Sequence, residues 1–398
     1  MEKYDIVIIG GGFAGTSLAY KLSKLDSSLQ VALIERNRLG GKPVSAFTFM
    51  DVIDDLGIKD SVKQCYNQIE LICTLGAQES YTYDEDVFAL IDYQKACEEL
   101  VNKSVCSVIF EEVKSIKGGK VVLTDKVVGA KIIVDASGWG YKFRKELHLG
   151  VPKIENHLYF RKLIKCNISN PKSVQLVVGD IGSNGGWFYP ISNNECEIGV
   201  AERTNKLSRS EKANIQNKQE KNMERFVNHS PYSEMLKESM TESETMVYYP
   251  YDPVKQVVKG NVMFLGDNAG MVHPMHGMGI HYINRIGTLC AKYCVQAAHG
   301  NITLLREYQN AWDRMLKNDM DAWVQGMTYW SLKKKQLNKI IEIRSNSYVN
   351  KMNVLSELRG HSGNNCERDT FQVPLGLYLN LVKHALMHKI KYKLKYRC

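Results

Sequence analysis

The chain has 398 residues, of which 44% are hydrophobic and 24% charged, and its formal net charge is +9. These values describe a globular protein of two or three domains and exclude a disordered chain. No stretch is apolar for long enough to span a bilayer, and glycines interrupt the first apolar run, so we expect neither a membrane span nor a signal peptide. The ten cysteines include no CxxC pair. We therefore expect reduced thiols in a cytoplasmic protein, with no metal site. We also expect no nucleic-acid partner.

The first 35 residues carry a dinucleotide-binding pattern. A β-branched run at residues 4–9 predicts a buried parallel strand, G-G-G-F-A-G fits G-x-G-x-x-G, and a helix and a second strand follow. Glycines there let the backbone approach a pyrophosphate, and the acid that ends the second strand can bind ribose hydroxyls. The predicted contacts are Gly10, Gly12, Phe13, Ala14, Gly15, Glu35 and Arg36.

Two later turns follow predicted strands. The first is D-A-S-G, where the backbone at Gly138 is expected to approach the nucleotide. The second is G-D-N-A-G, after which H-P-M-H leads to a helix that opens with G-M-G-I. Asp267 can hydrogen-bond a ribityl hydroxyl, and the amides at Gly277, Gly279 and Ile280 can hold the negative charge of a reduced isoalloxazine ring. Beside the N-terminal pattern, this second turn favours FAD over NAD.

Two further segments have open interpretations. A strand-rich region contains the aromatic run Trp187, Phe188, Tyr189 and Pro190, which suits either the wall of an apolar substrate pocket or ordinary core packing. After Asp369 the chain has no acidic residue, and lysines alternate with leucines and isoleucines. Such a tail suits peripheral contact with an anionic membrane on its cytoplasmic face, or a solvated end of a helical domain.

Taken in order, these motifs resemble the FAD-dependent geranylgeranyl reductase family, within the para-hydroxybenzoate-hydroxylase-like flavoproteins. The resemblance covers roughly residues 1–300; G-D-N-A-G…H-P…G-M-G-I is similar to the family's G-D-A-A-G…P…G-E-G-I, and residues 185–190 to its aromatic Y-x-W-x-F-P. It implies an α/β fold: a Rossmann-like FAD-binding domain, an inserted, mostly antiparallel β-sheet substrate domain, and C-terminal helices. The expected boundaries are 1–150 with 255–300 for FAD (part of 60–92 joining the second sheet), 151–254 for substrate, and 301–398 for the helices with the basic tail.

The resemblance also implies an activity, the saturation of carbon–carbon double bonds in geranylgeranyl or other prenyl chains of membrane lipids. Electrons would come from NAD(P)H or a ferredoxin. The family's FAD contacts map onto Ala14, Gly15, Glu35, Asp267, Gly279 and Ile280, with Val113 expected against the adenine ring.

Several family residues differ in this chain. Lys42-Pro43-Val44-Ser45 lacks the family's catalytic cysteine, Tyr93 replaces an arginine, and Met278 replaces a glutamate. Since histidine titrates near neutral pH, His276 and His273 are our candidate proton donors, with the hydroxyls of Tyr189 and Ser45 as weaker ones. Two alternatives remain: a flavin monooxygenase or halogenase of the same superfold, and a redox-neutral prenyl cyclase.

Overall fold

The computed structural model describes residues 2–41, 44–138, 140–150, 157–181, 185–203, 210, 214–230, 232–238, 240–249, 253–272, 277–329, 331–347, 349, 351–359 and 373–396. The strands are β1 Lys3–Ile9, β2 Val31–Glu35, β3 Ser45–Phe49, β4 Val62–Tyr66, β5 Gln68–Cys73, β6 Gln78–Thr82, β7 Phe88–Asp92, β8 Ser107–Phe110, β9 Ser115–Lys117, β10 Lys120–Val122, β11 Val127–Asp135, β12 His157–Lys165, β13 Ser173–Val178, β14 Gly186–Ser192, β15 Glu195–Arg203, β16 Met240–Tyr249, β17 Val258–Lys259 and β18 Val262–Phe264. The helices are α1 Phe13–Leu25, α2 Met50–Leu56, α3 Tyr93–Asn102, α4 Lys142–Glu146, α5 Ile215–His229, α6 Ser233–Glu238, α7 Ile280–His299, α8 Leu305–Asn318, α9 Met320–Tyr329, α10 Lys334–Ser345, α11 Lys351–Arg359 and α12 Leu375–Tyr396.

The first sheet runs in the order β17-β18-β11-β1-β2-β8 and contains the predicted dinucleotide-binding unit. Strand β1 pairs in parallel with both β2 and β11, and β11 pairs in parallel with β18. Ile6, Val7 and Ile8 of β1 are fully buried, because both faces of the sheet are covered there. Parallel pairing brings the carboxyl ends of β1, β2, β11 and β18 to one edge, where the glycine-containing turns meet.

A second sheet, β16-β12-β15-β14-β13-β5-β6, is antiparallel except where β13 pairs in parallel with β5. A small third sheet, β3-β7-β4, lies between residues 45 and 92 in sequence. Helices α7 to α12 follow the turn that carries Asp267. The predicted α/β architecture is confirmed, whereas the exact domain boundaries stay a prediction.

Candidate functional site

The glycine turn after β1 has no room for a side chain at Gly10 or at Gly15. Gly10 has φ +105°, and a Cβ on it would lie 2.5 Å from the carbonyl oxygen of Ala136. A Cβ on Gly15 would lie 2.0 Å from the carbonyl oxygen of Gly10. The turn after β1 therefore packs directly on the D-A-S-G turn after β11, and α1 begins at this junction with its first amides unpaired by the helix.

Glu35 is held rigidly at the end of β2. Its two carboxylate oxygens accept hydrogen bonds from the backbone amides of Gly11 (2.8 Å) and Asn37 (3.0 Å). Each oxygen keeps a second lone-pair direction, so the carboxylate can still accept from ribose hydroxyls.

These turns enclose a cavity of about 660 Å³. Nine of the predicted cofactor residues line it: Gly10, Gly12, Phe13, Ala14, Glu35, Arg36, Val113, Gly138 and Asp267. The other four do not: Gly15 lies under the turn, Gly277 and Gly279 precede α7, and Ile280 begins that helix with 5% exposure. The cavity thus collects residues from five separate segments of the chain at the carboxyl edge of the first sheet.

Asp267 and Tyr141 both line this cavity. Asp267 lies in a 3-10 turn, Gly266–Ala269, whose first residue packs on Ala14 so closely that a Cβ there would be 2.7 Å away. Loss of hydration raises the pKa of Asp267 to about 6. Burial, and then the charge of Asp267, raise the pKa of the Tyr141 phenol.

Tyr141 itself has a strained backbone and an unsatisfied hydroxyl. Its φ is +54°, uncommon for a residue with a side chain, and the side chain is only 2% exposed. Among the described residues its hydroxyl has no hydrogen-bond partner. A buried donor facing a cavity calls for a polar ligand group. The glycine cradle, the acid at the end of β2 and this hydroxyl together fit the phosphates and hydroxyls of FAD.

Tyr93 was singled out in the sequence only as a departure from the family pattern. It also lines the cavity, and its hydroxyl accepts a hydrogen bond from the amide of Phe13 at 3.0 Å. The phenol of Tyr93 therefore pairs with one of the backbone amides that α1 leaves free at its start. An arginine at this position would instead place a positive charge where it could bind a phosphate.

Behind the cavity, buried polar residues fix the turn after β11. The hydroxyl of Ser137 donates to Asp135 at 2.6 Å, and Asn268 donates to the same hydroxyl at 3.3 Å. Burial raises the pKa of Asp135 to about 6, and burial lowers that of the neighbouring Arg144 to about 10. These hydrogen bonds connect the D-A-S-G turn to the turn that carries Asp267.

A second, smaller cavity of about 150 Å³ lies against the second sheet. Trp187 and Tyr189 form part of its wall, and helices α9, α10 and α11 supply most of the other side. The ring of Tyr189 stacks on that of Phe47 at 4.9 Å between centroids. Phe47 lies in β3, which begins at Ser45.

Phe188 and Pro190 do not line this cavity, which corrects two of the predicted pocket residues. Side chains alternate across a strand, so Phe188 faces the opposite side of the sheet, where it is fully buried and stacks on Tyr232 at 4.7 Å. The backbone carbonyl of Pro190 accepts a hydrogen bond from the hydroxyl of Tyr66 at 2.5 Å.

An ion pair of β12 and β15 links the start of β3 to the sheet that forms the apolar cavity. Arg161 of β12 lies 3.4 Å from Glu197 and donates to the carbonyl of Ser45 at 2.6 Å. The indole of Trp187 donates to Glu197 at 3.4 Å. The start of β3 is thereby fixed to the wall of the apolar cavity.

Two family models match the chain. One, described as pyridine nucleotide-disulphide oxidoreductase, matches residues 4–229, and the other, described as squalene epoxidase, matches residues 129–353. A digeranylgeranylglycerophospholipid reductase of Sulfolobus acidocaldarius is 25% identical over 311 residues, which are 70% of this chain and 66% of that protein. The enzyme of that name from Thermoplasma volcanium is 22% identical over 394 residues, covering 90% of this chain and 96% of the relative.

Solved structures give the same picture of the fold. A geranylgeranyl bacteriochlorophyll reductase-like protein of Thermoplasma acidophilum matches with a TM-score of 0.80 at 16% identity, over 98% of this chain and all of the other. A flavin-dependent brominase matches with a TM-score of 0.74, also at 16% identity, over 97% of this chain and all of the other. The chain belongs to the pyridine nucleotide-disulphide oxidoreductase family, whose model matches more than half of it. Residues 129–353 also match the squalene epoxidase model. The protein is an FAD-dependent oxidoreductase.

Four side chains are candidates for the proton donor. His273 and His276 lie outside the described residues. Of the hydroxyl candidates, Tyr189 lines the apolar cavity, and Ser45 is buried with its oxygen 3.3 Å from the ammonium of Lys63. Within the described residues, no three histidine, cysteine or acidic side chains are grouped so that they could hold a metal.

Proposed function

We propose that this protein uses FAD to reduce the carbon–carbon double bonds of geranylgeranyl or related prenyl chains of lipids. The observation that carries the proposal is the apolar cavity beside Trp187 and Tyr189, which is joined to the start of β3 through Arg161. Such a cavity suits an uncharged hydrocarbon chain. The names of the relatives, digeranylgeranylglycerophospholipid reductase, support the same substrate class.

The residues of the larger cavity would hold the cofactor. The amides at the start of α1 and the glycine turn would bind the pyrophosphate, Glu35 the ribose, and Asp267 a ribityl hydroxyl. The amides at Gly277, Gly279 and Ile280 would lie by the isoalloxazine ring. When bound and reduced, FAD supplies a hydride equivalent to one alkene carbon.

The chain itself must supply a proton to the other alkene carbon. We propose His276, with His273 as the second candidate, because an imidazole titrates near neutral pH. Tyr189, which lines the apolar cavity, would act by positioning the chain. The electron donor, NAD(P)H or a ferredoxin, would reduce the cofactor before the lipid reacts.

We also propose that α12 contacts an anionic membrane surface. None of the described helices is long and apolar enough to cross a bilayer. On α12, however, Leu375, Leu379 and Leu386 are each more than half exposed, and Lys383 and Lys389 are exposed beside them. Exposed leucines flanked by lysines favour a helix lying in an anionic interface.

The decisive experiment is reduction of a defined lipid by the purified holoenzyme. The enzyme is incubated with dithionite and a digeranylgeranyl glycerophospholipid in detergent micelles, and the products are analysed by mass spectrometry. Mass gains in steps of two hydrogens support the proposal. An unchanged lipid mass, with fully reduced flavin, would contradict it.

The matches to the squalene epoxidase model and to a flavin-dependent brominase favour one alternative, an oxygen-dependent reaction. It would be recognised by a mass gain of one oxygen and by oxygen consumption that depends on NAD(P)H and on the lipid. A redox-neutral cyclase would turn over lipid without consuming reductant, and the lipid mass would stay constant while its retention time changed.

A further inference from the structure

A third cavity, of about 340 Å³, opens beside α12. Leu381, Val382 and Ala385 of that helix form one side, and Val324 and Ile343 belong to the helices opposite. Apart from Gln325, Thr328 and the phenol of Tyr329, its lining is apolar. A recess of this kind next to an exposed apolar helix calls for an apolar occupant.

This outer cavity shares two lining residues, Tyr329 and Ile340, with the apolar cavity beside Trp187 and Tyr189. The two cavities are therefore separated by the thickness of these two side chains. Ile340 is 6% exposed and Tyr329 is half-buried. Rotation of the Ile340 side chain would open a passage between the two cavities.

Tyr329 is held in place by a buried charged cluster. Its hydroxyl hydrogen-bonds Arg344, which donates to Glu79 at 3.0 Å and lies 3.5 Å from Glu357. Burial raises the pKa of Tyr329 to about 12, so the phenol stays protonated at neutral pH. Glu79, Arg344 and Glu357 line the inner cavity and pair with one another, and the rest of its lining is mainly aliphatic or aromatic.

The outer cavity reaches the apolar stripe of α12. Val382 lines the cavity and is 42% exposed, so it belongs to both surfaces. The exposed members of the stripe, spaced three or four residues apart and so on one helix face, are Leu375, Tyr378, Leu379, Val382, Leu386 and Ile390. No acidic residue occurs between residues 373 and 396, whereas five lysines do. Lys383, which directly follows Val382, is exposed, so the helix presents an apolar and a positive group together beside the cavity.

We propose that α12 lies on an anionic bilayer and that the outer cavity is the portal through which a prenyl chain passes from the bilayer, between Tyr329 and Ile340, into the apolar cavity. This inference rests on the proposed function. The occupant is a lipid hydrocarbon chain rather than a protein segment, because the cavity opens beside an exposed apolar stripe on a helix with lysines and no acidic residue, and it adjoins a second, mainly apolar cavity. A chain arriving along α12 would expose little apolar surface to water.

Obstruction of the outer cavity tests the route. In Ile343→Trp, a half-buried cavity-lining side chain is enlarged where the cavity offers room, and Ala385→Trp does the same from α12. Ile302→Trp is the matched control, because Ile302 is 38% exposed and lines none of the three cavities. The holoenzymes are given a digeranylgeranyl glycerophospholipid and dithionite, once in vesicles of phosphatidylcholine and phosphatidylglycerol and once in detergent micelles.

We expect both obstructing variants to reduce the lipid at least about tenfold more slowly in either format, with wild-type flavin content and melting temperature, while Ile302→Trp matches the wild type. Leu379→Glu, on the stripe but outside the cavity lining, should slow the reaction in vesicles alone. Wild-type rates in both obstructing variants would overturn the route. Equal rates of Leu379→Glu and the wild type in vesicles would overturn the bilayer as the source. A wild-type enzyme that adds no hydrogen in either format would instead overturn the proposed function.

Discussion

Substitutions at two glycines of the first turn, Gly12 and Gly10, should distinguish effects on the stability of the fold from effects on FAD binding. Gly12 has φ −76°, which any residue can adopt, and a Cβ there would lie 3.4 Å from the hydroxyl of Tyr93. Gly12 also lines the cavity at the start of α1. Gly12→Ala should therefore leave the free energy of unfolding of the flavin-free protein within about 0.5 kcal/mol of wild type.

The same methyl group would hold the pyrophosphate away from the amides of α1. Losing one hydrogen bond to a charged group costs about 1.5–3 kcal/mol. The dissociation constant of FAD should rise by roughly tenfold to a hundredfold.

We expect Gly10→Ala to lower both the stability of the flavin-free protein and its affinity for FAD. At φ +105° a side chain costs about 1–2 kcal/mol, and forcing atoms into a packed interior costs about 1–3 kcal/mol more. The clash at 2.5 Å is with a backbone carbonyl, so no side-chain rotation relieves it. The flavin-free variant should unfold at lower urea concentration and bind FAD weakly.

Urea unfolding of the deflavinated proteins and fluorescence titration with FAD measure the two quantities. Gly376→Ala is the control, since Gly376 is exposed on α12 and a Cβ on it would meet no atom within 4 Å, so the change should harm neither quantity. FAD affinity equal to wild type in Gly12→Ala would refute the pyrophosphate position. Wild-type stability in Gly10→Ala would refute the turn geometry.

Three further predictions concern single side chains. Burial raises the pKa of Asp267 from 3.8 to about 6, so folding favours the protonated carboxyl group. Protonated Asp267 therefore stabilises the flavin-free protein fully below pH 3.8, and this stabilisation is lost as pH rises through about 6. Asp267→Asn should make the flavin-free protein more stable at pH 7.5, by at most about 3 kcal/mol, yet weaken FAD binding; an unchanged pH profile of the melting temperature would refute this. Arg344→Met leaves Glu79 buried without its cation and should cost about 3–5 kcal/mol in urea unfolding, so a loss below about 1 kcal/mol would contradict the buried pair. His276→Gln should slow lipid reduction at least about tenfold without changing the rate of flavin reduction by dithionite, and wild-type turnover would exclude it as the acid.

The main features of the cofactor site were predictable from local sequence. The glycine turn, the strand that ends in Glu35 and the turn that carries Asp267 are recognisable because strands, tight turns and helix starts each need particular residue types within a few positions. The FAD prediction and the α/β fold are confirmed. The roles of the individual residues stay predictions.

Other features depended on which face of an element a side chain occupies. Phe188 and Tyr189 are neighbours in sequence, yet the pleat of β14 directs them to opposite faces, and only Tyr189 lines the apolar cavity. The sequence indicated that the run was aromatic but not which ring the cavity would receive, because that depends on which sheet face the helices cover.

Sequence by itself determined the class of fold, the cofactor and the carboxyl edge at which its turns meet, because these follow from short-range patterns and from parallel pairing of buried strands. Tertiary structure alone decided that Tyr93 caps the start of α1, that Tyr141 presents an unsatisfied hydroxyl beside Asp267, and that Tyr329 and Ile340 divide two apolar cavities. In each case the partners are distant in sequence. Their contact depends on the packing of whole helices and sheets, which no local pattern encodes.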